Sequence, residues 1–154
     1  MAAPELQGPA LLAAALCLAA TAHAGTFDEA SLPYLAHPMR VAARLVADGD
    51  DVVAAGLLHD VVEDSTLTLD DLAAAGFPTA VRDAVDALTK RDGEPYEQAI
   101  SRAAADPIAA RVKAADIADN ADNARLALLD PETQERLAAK YAAARARLEV
   151  SSSA

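Results

Sequence analysis

Runs of apolar residues alternate along the chain with short polar stretches that often contain glycine or proline. Within the runs, apolar positions recur at helical spacing, and Val and Ile never form the alternating pattern that is typical of strands. The pattern therefore predicts an all-α fold, a compact single-domain bundle of about seven to eight helices. The predicted helical segments are 4–24, 37–49, 51–64, 65–76, 77–90, 96–105, 106–129 and 130–150.

Start signals and apolar faces support several of these helices. The segments 106–129 and 130–150 each open with Asp-Pro, in which the aspartate can cap free backbone N–H groups and the proline suits the first helical position. The apolar face predicted for the second helix consists of Met39, Val41, Ala42, Leu45 and Val46. The core face predicted for the last helix consists of Leu137, Tyr141 and Leu148.

Composition agrees with one helical domain. The chain has 154 residues, of which 53% are hydrophobic and 3% aromatic, and alanine dominates the apolar residues. This length suits one hydrophobic core, and alanine favours helices that approach closely. We expect one domain over residues 1–150 and a disordered tail over 151–154.

The formal net charge of −11 narrows the range of partners. Such an acidic surface repels nucleic-acid phosphates and anionic lipids, so we expect neither a nucleic acid nor a membrane as a partner. A phosphorylated small molecule stays compatible with this charge if a bound metal ion supplies local positive charge.

The N-terminal apolar run, GPALLAAALCLAATAHAG, has two interpretations. It resembles a secretory signal peptide that ends in a cleavage-like AHA, but no Lys or Arg precedes it. It is also shorter than the roughly 20 residues that span a bilayer. We therefore favour a core helix that buries the thiol of Cys17. A single cysteine that cannot form an internal disulfide suits a reducing, cytoplasmic setting.

Ionisable residues occur abruptly where the third apolar run ends, in the stretch HDVVED. On a continuous helix, His59 would lie over Glu63 and Asp60 over Asp64, because residues four apart share a face. Acidic groups at a helix C-terminus oppose the helix dipole, and a bound cation would offset that cost. Taken alone, Glu63 and Asp64 are also compatible with a solvated helix end.

Further metal ligands would have to come from other helices. His37 begins the second helix, and a polar stripe on the seventh is formed by Lys113, Asp116, Asn120 and Asn123. Such a stripe faces either water or a polar occupant of the interior. Two imidazoles and two carboxylates make a mixed nitrogen and oxygen set that suits Mn²⁺, Fe²⁺ or a similar divalent ion.

In these stretches the sequence resembles the HD-domain metal-dependent phosphohydrolases, and among them the hydrolase domain of the RelA/SpoT homologues and the small alarmone hydrolases. The resemblance extends from about Leu11 to Leu148 and rests on AHAGTFDEASLPYLAHPMRVA, AAGLLHDVVEDSTLTLDDL and VKAADIADN. It implies an all-helical enzyme that binds one Mn²⁺ and removes pyrophosphate from the 3′ position of guanosine tetra- or pentaphosphate.

The resemblance also implies a role for each matching residue. The metal ligands would be His37, His59, Asp60 and Asp116. The catalytic pair that positions and activates water would be Glu63 and Asp64. The substrate-binding residues would be His23, Tyr34, Lys113 and Asn120, with His23 lining the pocket.

Two departures from that family concern the substrate. Glu29 stands in a loop that is usually basic, and Asp122 stands where the family usually has an arginine. Two alternatives therefore stay open: an HD phosphatase acting on another nucleotide or phosphorylated metabolite, and a non-catalytic HD domain that binds a nucleotide or a protein partner. The presence of every metal and catalytic position favours an enzyme. On length, we expect no alarmone synthetase domain.

Overall fold

The computed structural model describes residues 4–153, which fold into helices joined by short loops. The α-helices are α1 (Gly8–Ala22), α2 (Ala36–Arg44), α3 (Asp50–Leu58), α4 (Val61–Asp64), α5 (Leu69–Ala74), α6 (Thr79–Leu88), α7 (Tyr96–Ala104), α8 (Pro107–Asn120), α9 (Asn123–Leu126) and α10 (Pro131–Ser152). A 3₁₀ turn, Val46–Asp48, links α2 to α3. Within residues 4–153 the only β feature is an isolated bridge between Phe27 and Pro33. The predicted all-α fold is confirmed.

Helix α3 is the centre of the bundle. Its residues 52–58 are all buried, as its continuous apolar run predicts, and it packs against α1, α2, α6 and α8. Helix α2 approaches it closely at Gly56, where an added β-carbon would lie 2.9 Å from Leu45 Cδ1 and 3.5 Å from Ala42 Cα. The C-terminal end of α3 is therefore held tightly against α2.

A second, smaller core joins α7, α8 and α10. Its buried members are Ile100, Ile117, Ala144 and Leu148, and partly buried residues that pack on them include Tyr96 and Tyr141. Leu137 is buried as well, so the predicted core face of the last helix is confirmed. Helix α10 continues to Ser152, inside the predicted tail.

Both Asp-Pro helix starts are confirmed. Asp106 and Asp130 each accept a hydrogen bond from a backbone N–H of the first turn, at 2.8 and 3.0 Å. Pro107 and Pro131 are the first residues of α8 and α10. The short side chain of aspartate and the fixed φ of proline therefore place these two starts as the sequence predicts.

Two helices that we predicted as continuous are interrupted. The segment 51–64 divides into α3 and α4 at His59 and Asp60, where His59 Nδ1 lies 2.7 Å from the carbonyl oxygen of Gly56 and competes for the acceptor that a continuous helix would use. The segment 106–129 divides into α8 and α9, because the Asp122 carboxylate accepts hydrogen bonds from backbone N–H groups of the next turn and starts a new helix.

The prediction that Cys17 is buried is wrong, because its side chain is exposed. Helix α1 is apolar throughout, yet it packs through one side only, formed by Leu11, Ala15 and Ala19. These positions are four apart, and Cys17 lies between the last two, on the opposite side of the helix. Among the residues described, no helix is both long and apolar enough to cross a membrane.

The apolar face predicted for the second helix is only partly correct. Met39 is 49% exposed and Val46 is 71% exposed, whereas the other three positions are buried. Val46 lies beyond Arg44, the last residue of α2, so helical spacing no longer applies to it. Met39 lies two residues before Val41 and therefore points away from the buried side.

Candidate active site

The four predicted metal ligands meet between α2, α3 and α8. His37 belongs to α2, His59 and Asp60 lie at the junction of α3 with α4, and Asp116 belongs to α8. Nε2 of His37 lies 3.1 Å from Asp116 Oδ1, and Nε2 of His59 lies 3.0 Å from Asp60 Oδ2. The cross distances, His37 Nε2 to Asp60 Oδ2 and His59 Nε2 to Asp116 Oδ1, are 3.9 and 3.8 Å. His37, His59 and Asp60 each offer one ligand atom within 4.8 Å of the others, and Asp116 approaches both histidines from α8.

In each of the two imidazoles, the contact made by Nδ1 orients the ring so that Nε2 faces the other ligand atoms. Nδ1 of His59 lies 2.7 Å from the carbonyl oxygen of Gly56, and Nδ1 of His37 lies 2.7 Å from Asp119 Oδ2. A carbonyl and a carboxylate accept hydrogen bonds, so each Nδ1 carries a proton and donates it. In the neutral rings, Nε2 then presents a lone pair. Within residues 4–153, the buried Nε2 of His59 makes no hydrogen bond, because Asp60 Oδ2, 3.0 Å away, is not aligned with it; this arrangement fits a divalent cation bound by both atoms.

The electrostatics of the four side chains also favour a cation. Burial lowers the pKa of His59, but the nearby Asp60 and Asp116 carboxylates outweigh it and raise that pKa to about 9. Burial opposes ionisation of Asp60, yet the charge of His59 holds the pKa of Asp60 at about 2. Lys113 similarly holds the pKa of the buried Asp116 well below its usual range. Both carboxylates are therefore ionised, and a cation would neutralise them.

Tyr34 and His23 lie beside the ligands. The Tyr34 hydroxyl donates a hydrogen bond to Asp60 Oδ2, and the centroid of its ring is 4.9 Å from that of His23 and 5.7 Å from that of His37. His23 is only 2% exposed and is not among the residues that line the adjacent cavity. Burial lowers the pKa of His23. The structure thus places His23 behind Tyr34 rather than on the cavity wall.

A cavity of about 400 Å³ adjoins the ligands. The predicted metal ligands on its wall are His37, Asp60 and Asp116. The predicted substrate-binding residues on its wall are Tyr34, Lys113 and Asn120. The fold therefore brings three of the four predicted substrate-binding residues together with the predicted ligands in one concave site.

The two predicted catalytic carboxylates occupy different positions. Glu63 lines the cavity, and its Oε1 accepts a hydrogen bond of 3.0 Å from the backbone N–H of Lys90. Asp64 is exposed and lies outside that lining. Partial desolvation and the charges of Asp60 and Glu63 raise the pKa of Asp64 to about 6. A carboxyl group that titrates near neutral pH therefore lies next to the ligands.

The polar stripe of α8 faces the cavity and not water. Lys113 Nζ lies 2.8 Å from Asp116 Oδ2, and Asn120 Nδ2 donates to Asp116 Oδ1 at 2.8 Å. Both contacts hold the Asp116 carboxylate toward the histidines. Asn123, the fourth member that we predicted, is exposed on α9, because the chain leaves the α8 direction after Asn120.

Asp119 is a buried carboxylate that the sequence analysis missed. Besides His37, it contacts two guanidinium groups, Arg40 Nε at 2.9 Å and Arg125 Nη1 at 2.8 Å. Burial opposes ionisation, but the hydrogen bonds from His37 and Arg40 hold the pKa of Asp119 at about 2. Its position three residues after Asp116 places it on the same side of α8, and that spacing is the sequence feature that could have revealed it.

The cavity is less acidic than the sequence suggests. Arg125 lines it, and its Nη2 lies 3.4 Å from Asp28 Oδ2, which ties α9 to the loop before α2. Lys140 also lines it, with Nζ 4.7 Å from the centroid of the Tyr96 ring and 5.5 Å from that of Tyr141. No local motif marks these residues, because α7, α9 and α10 meet here only in the folded chain.

The sequence is similar to known proteins over most of its length. A protein described as a probable GTP pyrophosphokinase from Mycobacterium leprae is 37% identical over 128 residues, which are 75% of this chain and 16% of that protein. A probable guanosine-3′,5′-bis(diphosphate) 3′-pyrophosphohydrolase from Synechocystis is 33% identical over 142 residues, which are 83% of this chain and 18% of that protein. The chain thus spans less than a fifth of the length of these relatives.

The fold also has a counterpart among solved structures. A metazoan ortholog of SpoT, described as hydrolysing ppGpp and playing a role in starvation responses, superposes with a TM-score of 0.72 over 96% of this chain and 94% of that one. At 24% sequence identity this likeness shows the fold. Residues 15–143, which hold all four candidate ligands, match the family described as HD domain. The chain therefore belongs to the HD domain family.

Proposed function

We propose that the chain is a metal-dependent phosphohydrolase that removes the 3′ pyrophosphate from guanosine-3′,5′-bis(diphosphate) in the cytoplasm. The observation that carries the proposal is the convergence of two imidazole Nε2 atoms and two carboxylates beside a cavity of about 400 Å³. Similarity to relatives named for this 3′-pyrophosphohydrolase activity supports the choice of substrate. In the reaction, water adds to the phosphorus and the bond to the 3′ oxygen breaks.

The residues that would hold one divalent cation are His37, His59, Asp60 and Asp116. The buried and unpartnered Nε2 of His59 fits this role, and so do the two ionised carboxylates. Mn²⁺ suits a mixed nitrogen and oxygen set of this kind. When bound, such a cation polarises phosphoryl oxygens and lowers the pKa of water.

Glu63 and Asp64 would orient the attacking water and receive its proton. Glu63 reaches the cavity wall and is fixed there by the backbone N–H of Lys90. Asp64, with its pKa near 6, is a stronger base than an ordinary aspartate and is still mostly ionised at neutral pH. Helix α4 thus carries two carboxylates with different properties. Glu63 is held in position by a hydrogen bond, and Asp64 is the stronger base.

Lys113, Asn120 and Lys140 would contact the substrate from the cavity wall. The two lysines supply positive charge for phosphoryl oxygens in an otherwise acidic protein. The Tyr96 and Tyr141 rings beside Lys140 offer flat apolar surfaces for a nucleobase. Tyr34 would act on the site through Asp60, to which it donates a hydrogen bond.

A second candidate function is phosphatase activity on another nucleotide or phosphorylated metabolite. One observation favours it: Glu29 and Asp28 line the cavity, and Asp28 offsets part of the charge of Arg125. These carboxylates disfavour a substrate that carries additional phosphates near the loop. Asp122 lies outside the cavity lining, and its side chain caps α9.

The test is pyrophosphate release from guanosine-3′,5′-bis(diphosphate) by the purified chain, with Mn²⁺ and with a chelator. We expect release only with Mn²⁺, and none from a variant that combines His59→Ala with Asp60→Ala. The matched control is Asp83→Asn, an exposed substitution on α6, which should release pyrophosphate at the wild-type rate.

The other outcomes distinguish the alternatives. A wild-type chain that binds Mn²⁺ without releasing pyrophosphate would redirect the search to other nucleoside phosphates, in favour of the second candidate. A wild-type chain that binds no divalent cation would contradict both enzymatic functions and favour a non-catalytic domain that binds a nucleotide or a protein.

A further inference from the structure

We infer that Asp119 is a positioning residue of the metal site, which keeps the proton of His37 on Nδ1 and turns the Nε2 lone pair toward the cation. The inference rests on the proposed function and deepens it. Asp119 would neither touch the substrate nor bind the metal ion, and its effect would pass through His37.

The first argument is the contact itself. Asp119 Oδ2 lies 2.7 Å from His37 Nδ1, and the Asp119 side chain is 1% exposed, so water does not compete for the hydrogen bond. A carboxylate can only accept, so Nδ1 must donate. The remaining nitrogen, Nε2, is then free of hydrogen in the neutral ring and available to a metal.

The second argument is the way the Asp119 carboxylate is held. Two guanidinium groups from other helices, Arg40 on α2 and Arg125 on α9, contact it and fix the oxygen that faces Nδ1. Arg40 contributes Nε at 2.9 Å and Nη2 at 3.2 Å, and Arg125 contributes Nη1 at 2.8 Å.

The third argument is the placement of two carboxylates on one helix. Asp116 and Asp119 are three residues apart on α8, and they reach opposite nitrogens of the same ring. Asp116 Oδ1 lies 3.1 Å from Nε2 of His37, and Asp119 Oδ2 lies 2.7 Å from its Nδ1. A cation between Nε2 and Asp116 would be bound by both, and a flip of the imidazole would move Nδ1 away from Asp119 and Nε2 away from that cation.

A purely architectural role is the competing explanation. Through Arg40 and Arg125, Asp119 also joins α2 and α9 to α8, so its loss could destabilise the fold without any effect on the metal ion. The two explanations differ in one measurable quantity. Positioning requires a weaker affinity for the metal ion in a variant that is still folded, and architecture alone does not.

The decisive variant is Asp119→Asn, which keeps the size of the side chain and removes its charge. By titration calorimetry on the purified full chain, we expect the Kd for Mn²⁺ to rise by about 10- to 100-fold. We also expect an altered visible spectrum of the Co²⁺-loaded variant, because the geometry around the metal ion changes. Asp83→Asn is the matched control and should match the wild type in both measurements. A folded Asp119→Asn chain with unchanged Kd and spectrum would overturn the inference.

A measurement on the wild-type chain covers the case in which that variant does not fold. Long-range ¹H–¹⁵N correlation of the Zn²⁺-loaded protein should show His37 protonated at Nδ1 and bound to the metal through Nε2. The opposite tautomer would overturn the inference. A wild-type chain that binds no divalent cation would overturn the inference and the proposed function together. Metal binding without hydrolysis would contradict the proposed function alone.

Discussion

At the scale of single residues, Tyr34 shows how one hydroxyl can orient a carboxylate of a candidate metal site. It lies in the loop before α2, where its ring separates His23 from His37 and its hydroxyl donates to Asp60. Burial and the charge of Asp60 raise the pKa of Tyr34 well above its usual range, so the hydroxyl is always a donor. Asp60 therefore keeps one oxygen oriented before any cation binds.

Tyr34→Phe removes that hydroxyl and leaves the ring in place. Loss of a hydrogen bond to a charged acceptor should lower the free energy of unfolding of the metal-free chain by about 1.5–3 kcal/mol. Urea denaturation measures this quantity. The control is Tyr141→Phe, because within residues 4–153 no hydrogen bond is found for the Tyr141 hydroxyl. Equal destabilisation by both substitutions would contradict the role of Tyr34.

Glu94 is a second residue with a measurable effect, at a distance from the metal ligands. Both of its oxygens contact Arg102, at 2.9 and 2.7 Å, and Arg102 also donates to the backbone carbonyls of Asp86, Ala87 and Thr89. These hydrogen bonds hold the pKa of Glu94 at about 2. The ion pair stabilises the loop between α6 and α7. The same loop contains Lys90, whose backbone N–H donates a hydrogen bond to Glu63.

The pH dependence of this ion pair follows from the depressed pKa. Its contribution to stability is complete above the ordinary glutamate pKa of about 4.5 and disappears as the pH falls toward 2. Glu94→Gln should therefore lower the free energy of unfolding at pH 6, and the difference from wild type should shrink between pH 4.5 and 2. Denaturant titrations across this range measure it, with Glu97→Gln on α7 as control. A difference that does not change with pH would contradict the assignment.

The sequence allowed the positions of some residues of the site to be predicted, but not of others. The proximity of His37, His59, Asp60 and Asp116 could be predicted from the order of their residue types along the chain and from the resemblance to the HD-domain phosphohydrolases. Asp119 could not, because its role depends on two arginines that lie far away in the sequence. His23 was predicted on the cavity wall, whereas tertiary packing places it behind Tyr34.

At the scale of helices, the contact between α2 and α3 sets the distance between the two ligand histidines. Gly56 allows this contact, and its carbonyl oxygen also accepts the hydrogen bond from His59. The centroids of the His37 and His59 rings are consequently only 5.2 Å apart. Glycine at this position therefore serves packing and ligand geometry together.

Gly56→Val should separate the two helices. Its side chain would meet Leu45 and the backbone of Ala42, and overpacking of this kind costs about 1–3 kcal/mol. We expect a lower free energy of unfolding and weaker binding of Mn²⁺ in the same variant. Ala13→Val, at an exposed position of α1, is the control for the helix propensity of valine. If Gly56→Val kept the wild-type affinity for Mn²⁺, this would contradict the claim that the contact between α2 and α3 sets the geometry of the two histidines.

Helix positions were predictable to the extent that they depend on local signals. The buried α3 and the Asp-Pro starts of α8 and α10 follow from apolar runs and capping residues. The breaks before α4 and α9 were missed, because a side-chain hydrogen bond from His59 and the cap formed by Asp122 override continuous helical patterns.

At the scale of the whole molecule, the candidate metal site concentrates negative charge in the interior of a protein that already carries −11. Without a cation, the ionised Asp60 and Asp116 depend on the two histidines and Lys113 for compensation. The fold class could be predicted because it depends on composition and periodicity. The cavity could not, because the loop before α2 and helices α7, α9 and α10 build its wall together.

Mn²⁺ should stabilise the entire fold, because a ligand that binds only the folded chain shifts the unfolding equilibrium. At a free Mn²⁺ concentration 100 times the Kd, the gain is about 2.7 kcal/mol. Thermal unfolding with Mn²⁺ and with excess chelator measures it as a rise in Tm. The variant with His59→Ala and Asp60→Ala should show no such rise. An equal rise in that variant would place the stabilising ion elsewhere.

The exposed Cys17 has a practical consequence for all of these measurements. It is the single cysteine of the chain, and it lies on the outer side of α1, opposite the face that packs on the bundle. A maleimide fluorophore or nitroxide spin label would therefore attach at one defined point. Because Mn²⁺ is paramagnetic, it would quench or broaden such a reporter by an amount that depends on distance, and occupancy of the site could be followed without an engineered thiol.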